Sequence, residues 1–281
     1  MINKRYKKGY AVVIVLCLIF MAVGAKFDWA ATDFMYNPKN VFGIIFEAFS
    51  FFPMYLFIPV LGACLMVRNG GNMTTFAIGT FVLIVSCCRF MYFASASMTG
   101  RAFIEKVNPY LCGIFGGILA ALIFIAIRGC KRRTVRKIQA MCAFAAMYFL
   151  SYLSGIFVLK KIFGRDRYED IITGGDFAFA DWFKPAFFTS GSSFPSGHTA
   201  AAMGIVLLLL LPFLFAGFKK LKAVLFVFCY LYVALVAFSR LIMGRHFISD
   251  TAAAILIMTL VFMALTPYFE KLYRKLLIKQ N

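Results

Sequence analysis

Two histidines occur in the chain, and each stands beside residues able to do chemistry with it. His246 and Asp250 lie four apart in "SRLIMGRHFISD", so a helix places both on one face, one turn apart. A carboxylate there can accept from one ring nitrogen, set the tautomer and leave the other nitrogen free to attack. His198 closes "FPSGH", just ahead of a long apolar run. Pro195 at the entry predicts a helix start, whose first amides lack internal partners and favour a bound anion such as phosphate. Gly197 lets an oxygen approach the backbone and Ser196 adds a hydroxyl. A third segment, "KKIFGRDRYED", supplies Lys160, Lys161, Arg165 and Arg167, and arginine suits bidentate phosphate recognition. Each segment alone has a plainer use: amphipathic packing for a histidine, an ordinary cap for "PSGH", interface anchoring for the cations. Together they hold what phosphoryl transfer through a covalent intermediate requires. One histidine attacks phosphorus, the other donates a proton to the leaving oxygen, and cations neutralise the equatorial oxygens.

These side chains must be positioned by an apolar scaffold. The 281-residue chain is 63% hydrophobic with a mean hydropathy of +0.86, more apolar than a soluble domain can hide. Runs long enough to cross a ~30 Å hydrocarbon layer recur along its whole length. Eight spans are predicted, at 10–27, 41–67, 74–97, 111–127, 138–158, 198–217, 223–240 and 248–269. The fold expected is an all-α, polytopic membrane bundle of six to eight transmembrane helices, organised as a single membrane domain over 1–281.

The net charge of +19 follows topology. Joints at Met1–Gly9, Arg68–Asn72, Arg128–Lys137, Lys219–Lys222 and Glu270–Asn281 carry 18 basic residues against one acid, Glu270, while the opposite joints carry 11 against nine acids. Positive residues stay on the cytoplasmic side, which predicts both termini cytoplasmic and all three chemical segments outside. No basic stripe with interleaved aromatics points to nucleic acid. The first span has the charged start and small-residue end of a signal peptide, but its near-membrane length favours a retained helix. None of the eight cysteines forms a CxxC pair, which argues against a disulfide framework or a zinc site. Glu47 and Arg89 fall inside spans at matched depth, so they are expected to pair. The longest polar stretch, 159–197, includes "FAFADWFKPAFF", a composition suited to the membrane interface and proposed to help admit a lipid tail.

The three segments resemble the signature of the type-2 phosphatidic acid phosphatase superfamily, shared with vanadium haloperoxidases. That signature is K-x6-R-P, then P-S-G-H, then S-R-x5-H-x3-D. This chain has Lys160-x6-Arg167, Pro195-Ser196-Gly197-His198 and Ser239-Arg240-x5-His246-x3-Asp250, in the same order and spacing. Tyr168 replaces the family's proline, which puts the rigidity of that loop in question. The resemblance covers about 155–255, the expected catalytic core, and residues 1–140 carry no signature.

The resemblance implies His246 as nucleophile, Asp250 as its orienting carboxylate and His198 as the acid. It implies Lys160, Arg167, Ser196, Gly197 and Arg240 around the phosphate, with Lys161 or Arg165 able to share that role. No cofactor or metal is expected. The implied activity is hydrolysis of a membrane lipid phosphate on the extracytoplasmic face of the cell membrane. Candidate substrates are undecaprenyl diphosphate, phosphatidic acid, phosphatidylglycerol phosphate and a lipid A-type phosphate. A phosphotransferase using the same site is the nearest rival, and a non-catalytic lipid transporter or binding protein the rival from another class.

Overall fold

The computed structural model describes residues 2–68, 72–100, 105–187 and 189–278. Most of the Arg68–Asn72 joint, Arg101, and the ends of the first and last joints lie outside the described residues. Helices account for all the regular structure among the described residues. In chain order they are α1 (Ile2–Met35), α2 (Val41–Phe49), α3 (Phe52–Tyr55), α4 (Phe57–Arg68), α5 (Met73–Thr99), α6 (Pro109–Arg128), α7 (Arg132–Phe163) and the short α8 (Tyr168–Ile172). Then come α9 (Gly197–Ala202), a 3₁₀ stretch (Met203–Leu210), α10 (Leu211–Leu214), a second 3₁₀ turn (Ala216–Leu221), α11 (Lys222–Ile242) and α12 (Ile248–Ile278).

Seven spans among the described residues are long and apolar enough to cross a membrane. The stretch α2–α4 is an eighth candidate, bent by 40°. Pro53 and Pro59 explain that break, since each removes an amide donor and crowds the preceding turn. Three helices, α2, α5 and α6, start where an asparagine caps them: Asn40 accepts from the Gly43 amide, Asn72 from Thr75, and Asn108 from Tyr110 and Leu111.

Two buried clusters hold the bundle. The larger joins α1, α7, the α9–α10 span, α11 and α12 through residues such as Tyr10, Phe144, Tyr148, Met203, Val233 and Phe262. The smaller joins α4, α5, α6 and the start of α7 through Leu83 and the small side chains Ala63, Cys64, Cys87 and Ala120, which let membrane helices approach closely. Large apolar residues stay exposed on the outside, such as Val12, Leu16 and Ile19 on α1 and Ile118, Leu122 and Ile125 on α6. That is the surface a bilayer covers.

Helix α1 runs to Met35, eight residues past the apolar run that predicts it. It lies along α12, and its far end carries Asp28 and Thr32 fully buried. The polar end of the first span thus becomes part of the protein interior beside the chemical segments.

Candidate active site

Two left-handed glycines aim the site. Gly164 ends α7 at φ 48°, and its amide closes the last turn on the Lys160 carbonyl at 3.0 Å. Lys160 is left in the last helical turn, and Arg165 and Arg167 in the strap beyond. Gly244 at φ 63° turns the chain between α11 and α12, and a Cβ there would stand 2.6 Å from the Tyr36 ring. His246 follows that turn. The first and third segments are then tied together, with the Glu169 amide donating to the Gly244 carbonyl at 2.9 Å and Arg245 Nε 3.0 Å from Glu169 Oε2.

His246 is buried, with Nδ1 2.8 Å from the Ser193 carbonyl. A carbonyl only accepts, so Nδ1 carries the proton and Nε2 keeps its lone pair. Burial holds the ring's pKa down to about 3, assisted by the Lys160 and Arg167 charges and opposed by Asp250. The His198 ring stands 6.5 Å from the His246 ring, centroid to centroid, and lies edge-on to Phe51 at 4.7 Å.

Asp250 holds His246 less directly than its i+4 spacing implies. Oδ2 is 3.8 Å from His246 Nδ1, beyond hydrogen-bond reach. It accepts instead from Ser193 Oγ at 2.5 Å and from the Phe247 amide at 2.9 Å, while Oδ1 accepts from Arg165 Nη1 at 2.7 Å. The amide contact is the return half of a capping box at the start of α12. Asp250 therefore fixes Ser193, and the Ser193 carbonyl fixes the imidazole.

The cations divide into two sets. Lys160 Nζ donates to the Ser192 carbonyl and Arg167 Nη2 to Ser192 Oγ at 2.9 Å, so both converge on the residue beside Ser193. Lys161 is exposed and lies over the Phe157 ring, turned elsewhere. Arg165 takes a different role from the phosphate contact considered for it. It is 2% exposed, sandwiched between the Phe179 and Phe247 rings, and paired with both Asp250 and Asp28. Arg240 is fully buried beside Glu47 Oε2 at 3.3 Å and the Gly43 carbonyl at 3.2 Å. Glu47 thus meets Arg240, whereas depth alone pairs it with Arg89. Among the described residues no carboxylate lies within ion-pairing distance of Arg89.

Ser196 is the cap of α9: its Oγ accepts from the Thr199 amide at 3.3 Å and shares a 2.9 Å hydrogen bond with Thr199 Oγ1. Its own amide donates to the Asp250 carbonyl at 3.0 Å, which joins the second segment to the third. The hydroxyl expected at the phosphate is thus engaged in starting the helix. Gly197 follows it, partly exposed, with Lys160 Cε 3.6 Å from where a Cβ would stand.

Tyr168, in place of the family's proline, is also anchored. Its hydroxyl donates to Asp33 Oδ1, and its ring packs against Trp29 at 5.0 Å and Tyr36 at 5.1 Å. The strap is stiffened through α1 and the turn after it instead of by a pyrrolidine ring.

The sequence reading missed Ser192, Ser193, Asp28 and Glu47 as parts of this arrangement. Only Glu47 had a signal, a carboxylate within an apolar span. Asp28 sits just past the end of its hydrophobic run and looks like an ordinary boundary residue.

Fold and site together define a polytopic helical membrane protein with a paired-histidine, cation-lined centre at one end of its bundle. Residues 139–274 match the family described as PAP2 superfamily. The match spans α7 through most of α12, and so all three segments. Among curated proteins and among solved structures nothing matches the chain.

Proposed function

We propose that the protein is an integral-membrane lipid phosphatase that works on the extracytoplasmic face through a phosphohistidine at His246. The observation that carries this reading is the pair of imidazoles 6.5 Å apart, with Lys160 and Arg167 converging beside them. The match to the PAP2 superfamily supports a phosphatase, and the apolar bundle supports a substrate that lives in the bilayer.

His246 Nε2 attacks phosphorus while Nδ1–H stays on the Ser193 carbonyl, which supports the positive charge that develops on the ring. The bond from phosphorus to the lipid oxygen breaks, and His198 gives that oxygen its proton. Water then attacks the phosphohistidine, His198 takes the water's proton, and inorganic phosphate leaves with His246 restored. Lys160 and Arg167 neutralise the phosphoryl oxygens, and the first amides of the α9 span face the same anion. Arg240 adds its positive charge to the field at His198. Glu47 holds that guanidinium in place.

The test is phosphate release by the detergent-purified protein in EDTA, from a panel of lipid phosphates. His246→Ala and His198→Ala are assayed beside it. The wild type is expected to turn over at least one lipid, and His246→Ala to lose several orders of magnitude. Near-normal turnover by His246→Ala would falsify the mechanism, and an inert wild type across the panel would favour a binding or transport role.

A further inference from the structure

Next to the histidine pair, on the side of the chain that carries no signature, lies a cavity of about 400 Å³. Its walls include Phe51, Phe52, Tyr55, Phe90 and Phe93, from α3, α5 and the residue before α3. It lies within the ~300–1,000 Å³ range of small-molecule sites. Two features distinguish it from a packing defect.

The first is its position. Phe51 lines the cavity and also lies edge-on against His198 at 4.7 Å. His246 stands 6.5 Å from His198, and Phe247 beside it is enclosed by Arg165 and Phe179. If His198 protonates the leaving group, the cavity adjoins the leaving-group side of the reaction. The second feature is Arg89. It lines this largely aromatic and aliphatic wall from the middle of α5. It is exposed on that wall, 5.8 Å from the Tyr92 ring and close to Tyr55, and no carboxylate among the described residues lies within ion-pairing distance of it. A guanidinium at membrane depth without a counter-ion is expensive and marks a functional contact.

We propose that this cavity receives the departing half of the substrate and that Arg89 binds an anionic group on it, so that the preferred substrates are lipid diphosphates. The inference rests on the phosphatase reading above. When the terminal phosphoryl group passes to His246 Nε2, the bond between terminal phosphorus and bridging oxygen breaks. A lipid monophosphate leaves with the proton from His198. That product is both apolar and anionic, matching a phenylalanine-lined cavity with one arginine. The leaving group of a lipid monophosphate is a neutral alcohol, which gives Arg89 nothing to bind.

The experiment compares geranylgeranyl diphosphate with geranylgeranyl phosphate in the full-length, detergent-solubilised protein. Wild type is expected to show the higher kcat/KM on the diphosphate. Arg89→Gln should lower the diphosphate-to-monophosphate ratio by about tenfold or more, the loss of one charge-assisted contact. Arg89→Lys should recover most of the ratio. An unchanged ratio, whether both activities fall together or neither does, overturns the inference and leaves the phosphatase reading intact. Leu56→Trp, which fills the cavity and retains the charge, guards against a misfolded Arg89→Gln. It should reduce the preference for the prenyl diphosphate over soluble p-nitrophenyl phosphate, and an unaltered preference overturns the cavity assignment. A wild type inert on both prenyl lipids and on p-nitrophenyl phosphate overturns the phosphatase reading itself.

Discussion

Arg165 Nη2 lies 3.0 Å from Asp28 Oδ2, joining the first helix to the family-matched half of the chain across 137 residues of sequence. The same guanidinium reaches Asp250 with its other nitrogen. Asp28 also accepts from the Ser249 amide at 3.0 Å and from the Ser249 hydroxyl. One buried cation thus serves two buried carboxylates, and the order runs from Asp28 through Arg165 and Asp250 to Ser193 and His246. Helix α1 lies outside the family match, yet it completes the site.

Asp28→Asn should therefore be a positioning defect. The amide keeps the shape but weakens the grip on Arg165, freeing Asp250 and Ser193 to shift. Displacements of about 1 Å at a reacting centre can cost ~10²-fold. The expected result is a ten- to hundredfold fall in kcat with KM little changed, measured on a soluble phosphomonoester. Asp28→Glu should recover part of it. A rise in KM at constant kcat would mean that Asp28 acts on substrate binding instead. Arg165→Ala should be worse and should affect folding too, because removing one partner of a buried ion pair costs ~3–5 kcal/mol.

The tautomer of His246 gives a prediction that needs no substrate. With only two histidines, ring nitrogen signals of ¹⁵N-histidine-labelled protein are easily assigned by His198→Ala. His246 should appear neutral, with Nδ1 protonated and Nε2 free, at pH 7 and still at pH 5, because burial lowers its pKa to about 3. The sign for stability follows. The unfolded ring takes a proton near its ordinary value of 6.5 and the folded ring does not. The His246 contribution to stability is complete above that value and is lost as pH falls toward 3. A His246 titration midpoint near 6.5 would contradict the buried, carbonyl-bound arrangement.

The helices and the three chemical segments were legible in the sequence for different reasons. Spans such as 74–97 and 111–127 rest on apolar length, which a bilayer imposes locally, and they return as α5 and α6. Lys160, His198 and His246 are legible because reaction chemistry allows few residue types at those spacings. What stayed hidden depends on partners far away in the chain. Helix α1 was expected to stop before Asp28, where hydropathy falls, but it continues because Arg165 and Ser249 satisfy that carboxylate. Glu47 and Arg89 have matching depths, and depth on two helices does not reveal that Arg240 of α11 comes closer to Glu47. Ser193 had no signal, since it acts through a backbone carbonyl that any residue carries.

The aromatic segment at 177–187 divides into anchored and exposed rings. Trp182 donates from Nε1 to the Met21 carbonyl at 3.1 Å and stacks on Phe194, and Phe179 packs on Phe247 and Trp29. Phe183 and Phe187 are instead 50% and 61% exposed. Replacing both exposed rings with serine should lower kcat/KM for long-chain lipid phosphates about tenfold or more while leaving p-nitrophenyl phosphate within about twofold, as loss of an interfacial contact predicts. Equal loss on both substrates would show that the rings support the fold rather than lipid entry.

The division of labour proposed for the histidines predicts different dependences on the leaving group. A proton donor matters most when the departing oxygen is basic, and general acid catalysis contributes about 10²–10⁴-fold. His198→Ala should lose activity in that range on an alkyl phosphomonoester, whose leaving oxygen needs the proton. On p-nitrophenyl phosphate the first step needs little help, so His246 should still be phosphorylated. The second step then lacks the base that activates water, and the phosphohistidine should accumulate. Rapid mixing should show a burst of p-nitrophenolate approaching one equivalent per site, then slow turnover, with acid-labile phosphate on the protein. His246→Ala should show no burst with any ester, because no other residue in this arrangement has its lone pair prepared by a buried carbonyl. If His198→Ala gave no burst, and His246→Ala did, the two roles would have to be exchanged.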